Sequence, residues 1–375
     1  MIRFRAMLVA STAALALGAV APVQAQEIPI MSIMAQTGHL AFAGVPVQNG
    51  IRLAFEEANQ KGTLGSAKIK FIDADYGGDK GQAINLANQA VNRERVVLAM
   101  GPTNTPDTLA VAPIYNENKT PFITLGTSDQ IITTGPWSFK IAQSGADTIP
   151  DVAKYVLEKT PVRKVAIVYD RTNDATIEFK NVFRDTFKAG GGTVVTEEGT
   201  AVNDSNFLPL ATKLMSMDID GVYFTTQAEQ SANIMVQLRQ AGLPAKVRYF
   251  GTIALGTPRV VAIAGKAADG TVFVSDFLPG VDRPLNKSFE AAYKARYKTE
   301  PDSWAALGYS MGQVALAALK NAGPNPTQEK VRDALMKLRD VPVVVGSGKW
   351  NHSDRKPSFG VTMVLVKDGK FVPAP

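Results

Sequence analysis

The chain has 375 residues, with 40 Lys or Arg against 34 Asp or Glu, two His and no Cys. Without thiols it has no disulfide, thiolate metal site, cysteine nucleophile or lipid attached to an N-terminal Cys. His39 and His352 are too few and too separated to suggest a histidine metal site. The formal charge of +6 is dispersed, with no basic run and no aromatic–basic interleaving, which argues against nucleic-acid binding.

The first 25 residues read as an address. Arg3 and Arg5 precede an uncharged apolar stretch over 6–20, and Val23-Gln24-Ala25 supplies the small residues of a cleavage site. Fifteen residues fall short of the ~20 needed to span a bilayer, so a cleaved signal peptide is expected, with the mature chain starting near Gln26. Cleavage takes 25 residues from 375 and leaves 350, and it lowers the charge from +6 to +4. An exported chain without a lipid anchor is retained only behind an outer membrane. The expected compartment is the periplasm.

After the address, short β-branched runs alternate with longer amphipathic ones. The pattern predicts a strand over 28–34, a helix over 46–59, a strand over 68–72 and a helix over 81–91. A strand over 96–100, a helix over 106–115 and a strand over 121–125 follow. The rhythm implies a parallel sheet with helices on both faces. A second series has helices over 148–159, 177–188, 205–217 and 231–241, with strands over 164–169, 193–196, 221–225 and 247–251. The run 271–277 reads as a crossing strand, and helices are expected over 286–297, 302–321 and 328–338. A final strand pair, 343–349 and 359–367, is expected to close on the turn Asp368-Gly369.

Enzyme signatures are weak. Gly308-Tyr309-Ser310-Met311-Gly312 matches GxSxG, and Ser310, Asp340 and His352 even follow the chain order of an α/β-hydrolase triad. A nucleophile elbow needs a strand before the serine, however, and 302–307 reads as a capped helix start. Close helix packing at Gly308 and Gly312 explains the glycines better. No Gly-Lys pair carries the Ser or Thr of a P-loop, and no GxGxxG follows a strand.

Two loops at predicted strand ends are the informative places, because open parallel sheets bind ligands there. In Gly101-Pro102-Thr103-Asn104-Thr105-Pro106, Thr105 is the expected N-cap, and the helix start favours an anion such as a carboxylate. In Gly126-Thr127-Ser128-Asp129, a tight glycine is followed by two hydroxyls.

The chain also resembles a known family. The series TGxxAxxGxxxxNGxxLAxxxxN (37–59), GPTNTxxxxAxAPIY (101–115) and PFITLGTS (121–128) looks like the periplasmic leucine/isoleucine/valine-binding proteins, the receptors of ABC importers. KVAIVYD (164–170), IDGVYF (219–224), LRQAGL (238–243) and the late GYS helix continue the match over nearly all of the mature chain. The resemblance implies the type I periplasmic binding fold, with two doubly wound α/β lobes joined by a multi-strand hinge. It implies that Thr105 meets a ligand carboxylate, and that Gly126, Thr127 and Ser128 hold carboxylate and ammonium. It also implies that Phe42 or Ala43 covers the ligand, and that Gln227, with Ala228, contributes from the second lobe.

Two positions depart from the family pattern. Asp174 stands at the second-lobe aromatic of a YDxxxY pattern, and Ile253 stands where an acid neutralises the ligand's ammonium. A desolvated ammonium without a counter-charge costs several kcal/mol. Either Asp174 or Glu229 replaces that acid, or the ligand is an aromatic or aliphatic carboxylate without an α-amine. The expected division is signal peptide 1–25, lobe 1 over 26–145 plus 277–352, and lobe 2 over 146–276 plus 353–375. The expected partners are a small-molecule ligand and ABC permease subunits at the inner membrane. A monomer is expected, with no metal or cofactor and no enzymatic activity; a serine hydrolase using Ser310 is the alternative from another class.

Overall fold

A computed structural model describes residues 26–375, so the expected signal peptide lies outside the described residues. From Glu27 the chain builds β1 (Glu27–Met34), α1 (Ala41–Lys61), β2 (Lys68–Asp75), α2 (Lys80–Asn88), β3 (Leu98–Met100) and α3 (Thr105–Glu117). It continues through β4 (Phe122–Thr124), α4 (Gln130–Thr133) and β5 (Ser138–Lys140). These five strands form one parallel sheet in the order β2-β1-β3-β4-β5. β1 is an interior strand, and most of its residues are buried, as expected for a strand covered on both faces.

The second series is α5 (Gly145–Lys159), β6 (Lys164–Asp170), α6 (Asp174–Ala189), β7 (Thr193–Thr200) and α7 (Leu208–Met215), then β8 (Gly221–Thr225) and α8 (Ala228–Gln240). β9 (Arg248–Gly251), α9 (Pro258–Ala264) and β10 (Val272–Ser275) complete it. The chain then returns to the first sheet with α10 (Pro284–Tyr297), α11 (Ser303–Ala322) and α12 (Gln328–Lys337). It ends in β11 (Val341–Pro342), β12 (Lys349–Ser353), β13 (Lys356–Ser358), β14 (Thr362–Lys367) and β15 (Lys370–Pro373). The second sheet has the order β15-β14-β10-β9-β8-β6-β7, with β14 and β15 antiparallel to their neighbours. Each sheet carries an apolar cluster on both faces, so the fold is α/β and doubly wound in each half.

Three segments pass between the sheets: 141–144 after β5, 276–279 after β10, and 359–361 before β14. The first and third bind each other, and the second is tied to the loop after β11. Gln143 Oε1 accepts from the backbone N–H of Phe359 (3.0 Å) and Gly360 (3.2 Å), and the Gly346 N–H donates to the Asp276 carbonyl (2.6 Å).

Some elements differ from the sequence reading. Residues 343–348 form no strand: Val343, Val344 and Val345 are buried, but Gly346 and Gly348 take positive φ and turn the chain. The turn at Asp368-Gly369 joins β14 to β15 instead. α1 begins five residues before the expected start because a 3-10 turn over Gly38–Leu40 leads into it ahead of Pro46. β5 is only Ser-Phe-Lys and leaves no apolar run to read.

The GxSxG glycines are packing residues. A Cβ on Gly308 would stand 2.1 Å from the Val47 carbonyl oxygen, and one on Gly312 would stand 2.6 Å from Ala54 Cβ. Ser310 is fully buried within α11, where its hydroxyl accepts the Val344 N–H at 3.3 Å.

Candidate functional site between the two sheets

The carboxyl ends of both sheets face a shared recess. Its outer part, about 540 Å³, is walled by the loop after β3 (Thr103, Asn104, Thr105), the loop after β4 (Leu125, Gly126, Thr127) and the start of α1 (Phe42, Ala43). From the second sheet come Asn173, Thr176 and Phe179 near the start of α6, Thr226 and Gln227 before α8, and Thr252 to Ala254 after β9. The inner part, about 460 Å³, shares Leu125, Thr127, Phe179, Thr252, Ile253 and Trp304 with the outer part. It ends against the three connecting segments at Ala142, Gln143, Ser275, Asp276 and Val361.

Thr105 is held by its neighbours rather than acting as the cap. Asn104 is the N-cap: it is extended, and its Oδ1 accepts the Asp107 N–H at 2.9 Å. The Thr105 oxygen accepts instead from the backbone N–H of Thr127 (3.1 Å) and Ser128 (3.3 Å). With both lone-pair directions engaged, its hydroxyl proton is left to donate into the recess. The wall behind is equally tied down. Tyr76 donates to Asp107 Oδ2 (2.9 Å) and accepts the Thr103 N–H (3.3 Å), while Thr103 Oγ1 accepts the Ala35 N–H (2.9 Å). Burial, with the charge of Asp107, pushes the Tyr76 phenol above its ordinary range.

Gly126 is a matter of space. A Cβ there would meet Ile131 Cδ1 at 2.4 Å and Thr105 Cα at 3.3 Å. Beneath this loop Lys140 is fully buried and donates to Asp129 Oδ1 (3.0 Å), Ser144 Oγ (2.8 Å) and the Thr127 carbonyl. Partial burial would raise the Asp129 carboxyl, but hydrogen bonds from Lys356 and Ser144 and the charge of Lys140 outweigh it and hold it at about 2. Glu178 of α6 approaches Ser128 and the Gly145 backbone from the other half, and burial raises its carboxyl.

Of the residues singled out by sequence, Phe42, Thr105, Gly126, Thr127, Gln227 and Ile253 line the recess. Ser128 does not. Its N–H goes to Thr105 and its Oγ accepts the Gln130 N–H (3.3 Å), so it backs the wall. Asp174 does not either: it is exposed at the first position of α6, and Asn173, the cap before it, lines the recess in its place. Glu229 is held by Arg259 at 2.8 Å and is absent from the lining. Neither acid proposed as a replacement at position 253 reaches the site. The acid that lines it is Asp276. Sequence reasoning passed over Trp304, whose ring meets Phe42 edge-on at 5.8 Å between centroids. It also passed over Phe179, Thr252 and Asp276; a capped helix start (Asp302) after the second-lobe series is the one signal that pointed near Trp304.

The family described as Periplasmic binding protein matches residues 27–370. This chain belongs to that family. Among the periplasmic binding proteins it is 26% identical over 337 residues to the leucine-specific-binding protein of Salmonella typhimurium, covering 89% of each chain. The solved leucine-binding protein of Thermotoga maritima superposes with a TM-score of 0.86 at 26% identity, covering 93% of this chain and 98% of that one. A solute-binding protein of an ABC transporter from Rhodopseudomonas palustris, solved with benzoate, shares the fold with a TM-score of 0.83 at 23% identity, covering 92% and 95%.

Proposed function

We propose that this periplasmic binding protein is the solute receptor of an ABC importer and takes an amino acid or a related small carboxylate into the recess between its sheets. One observation carries the reading. The Thr105 hydroxyl, at the start of α3, has its oxygen saturated by two backbone donors, which leaves its proton for an anion at a helix N-terminus. The leucine-binding relatives support the same class of ligand.

The chain divides into a first lobe on the five-stranded sheet and a second on the seven-stranded sheet. The lobes hinge at 141–144, 276–279 and 359–361; the last lies beyond the 353 expected from sequence, because β13 pairs with β12 and Lys356 reaches Asp129 at 2.6 Å. Ligand capture by one lobe followed by closure presents a distinct shape to permease subunits. Export through a cleaved signal peptide would place the receptor, as a monomer needing no cofactor or chemical step, in the periplasm.

A second reading has its own support. Among the described residues no carboxylate lines the outer part of the recess, and the one acid in the inner part that Ile253 also lines is Asp276, on a segment joining the sheets. A ligand without an α-amine suits this wall, because an unpaired ammonium there would lose its water without replacement. Titration calorimetry with leucine and 4-methylpentanoate, its deaminated counterpart, tests it. Preference for 4-methylpentanoate, shifting toward leucine in Ile253→Glu, is the result expected from the second reading. Tight leucine binding by the native protein would leave the amino-acid reading alone.

A further inference from the structure

The inner part of the recess is apolar along its sides, with Leu125, Ile149, Phe179, Val274 and Leu307 among its walls. Thr127, Gln143, Thr148, Thr252 and Ser275 also line it, and two further polar groups there stand without a partner among the described residues. Asp276 is only 4% exposed and lies on one of the segments joining the sheets, and its Oδ1 has no hydrogen-bond partner among the described residues. Trp304 lines both parts of the recess, and its Nε1–H is also buried without a partner among the described residues. A buried carboxyl and a buried indole N–H left unpaired each cost free energy in a folded protein, and such groups call for a partner.

The fold offers Asp276 no structural use for this side chain. Its backbone already serves the hinge by accepting the Gly346 N–H, whereas the side-chain Oδ1 is bonded to nothing among the described residues. The missing partners are complementary. Asp276 accepts, and Trp304 donates. A hydroxyl on a ligand can do both, whereas an ammonium offers nothing to the indole.

We propose that the inner end of the recess is a second polar subsite, in which Asp276 and Trp304 receive a hydroxyl at the end of the ligand opposite its carboxylate. The ligand class is then a hydroxylated aromatic or similarly flat carboxylate, with an apolar body between Phe179, Leu125 and Ile253. The proposal rests on the carboxylate reading above and specifies the far end of the same ligand. Burial raises the Asp276 carboxyl to about 7, so it accepts when ionised and can share a proton with the hydroxyl when not.

The test is calorimetric titration of the full mature chain with para-substituted acids of three lengths: benzoates, phenylacetates and 3-phenylpropionates. Each is used as its 4-hydroxy and its 4-methyl member. In the native protein at least one length should favour hydroxyl over methyl by about ten- to a hundredfold, the effect of one hydrogen bond to a charged group. Asp276→Leu should bring that ratio close to one. Trp304→Phe, which keeps a ring, should lower it severalfold and carries the test if Asp276→Leu does not fold. Equal affinity for the two members in the native protein, a ratio unchanged in the folded variants, or no affinity for any of the acids would overturn the subsite. 4-Methylphenol separates the two readings. If it binds as tightly as 4-hydroxybenzoate, the carboxylate reading fails, whatever Asp276 does.

Discussion

At the scale of single residues, the account turns on hydroxyls and carboxyls whose partners are fixed. Thr105→Val should weaken a carboxylate ligand by about 1.5–3 kcal/mol, the range for a hydrogen bond to a charged group. It should also destabilise the free protein by about 1–3 kcal/mol, because the Thr127 and Ser128 N–H groups lose their acceptor. Unchanged affinity on calorimetry would remove Thr105 from the site. Asp129 makes a prediction in pH. Its folded carboxyl lies at about 2, below an unfolded value near 4, so its stabilising contribution is present above pH ~4 and is lost as pH falls toward 2. Denaturant midpoints should therefore drop over that window in the native protein, and Asp129→Asn should flatten the drop while lowering the midpoint at neutral pH. An equally steep drop in Asp129→Asn would contradict this origin.

At the scale of elements, α3 is capped by Asn104 and not by Thr105. Asn104→Ala should cost about 0.5–2 kcal/mol of stability, measured by urea unfolding. Gly308 sits where α11 crosses the backbone of α1, so Gly308→Ala should cost about 1–3 kcal/mol, as overpacking does. These two residues also mark what the sequence can disclose. The alternation of β-branched runs with amphipathic ones is enough to read the doubly wound order, because interior parallel strands such as β1 are apolar on both faces. Strand-end loops are legible because Gly, Pro and hydroxyl residues cluster after an apolar run. The cap is not legible to one residue, since Asn and Thr both cap well and stand side by side. Asp276 and Trp304 are not legible as site residues: one lies on a crossing segment and the other in a helix start that reads only as a capped helix, and only the packing of two sheets brings them to one recess. The valines at 343–345 mislead for the converse reason, since burial against α11 and α12 needs apolar residues whether or not they form a strand.

At the scale of the whole molecule, the three joining segments form the back wall of the recess, so whatever fills its inner part touches the hinge directly. On the proposed function, ligand binding and lobe closure would be coupled through the same residues, and a ligand that binds the closed form would stabilise it by mass action. The most direct test is the melting temperature of the purified mature protein, measured across a panel of amino acids, their amine-free acids and the matching amides. At about 100 times its Kd, at least one free acid should raise the melting temperature by roughly 5–10 °C. Its amide should not, and at the same ligand concentration the rise should fall to about half or less in Thr105→Val but persist in Ser310→Ala. Stabilisation by an amide as large as by its acid, or by no acid in the panel, would contradict capture of a carboxylate between the lobes.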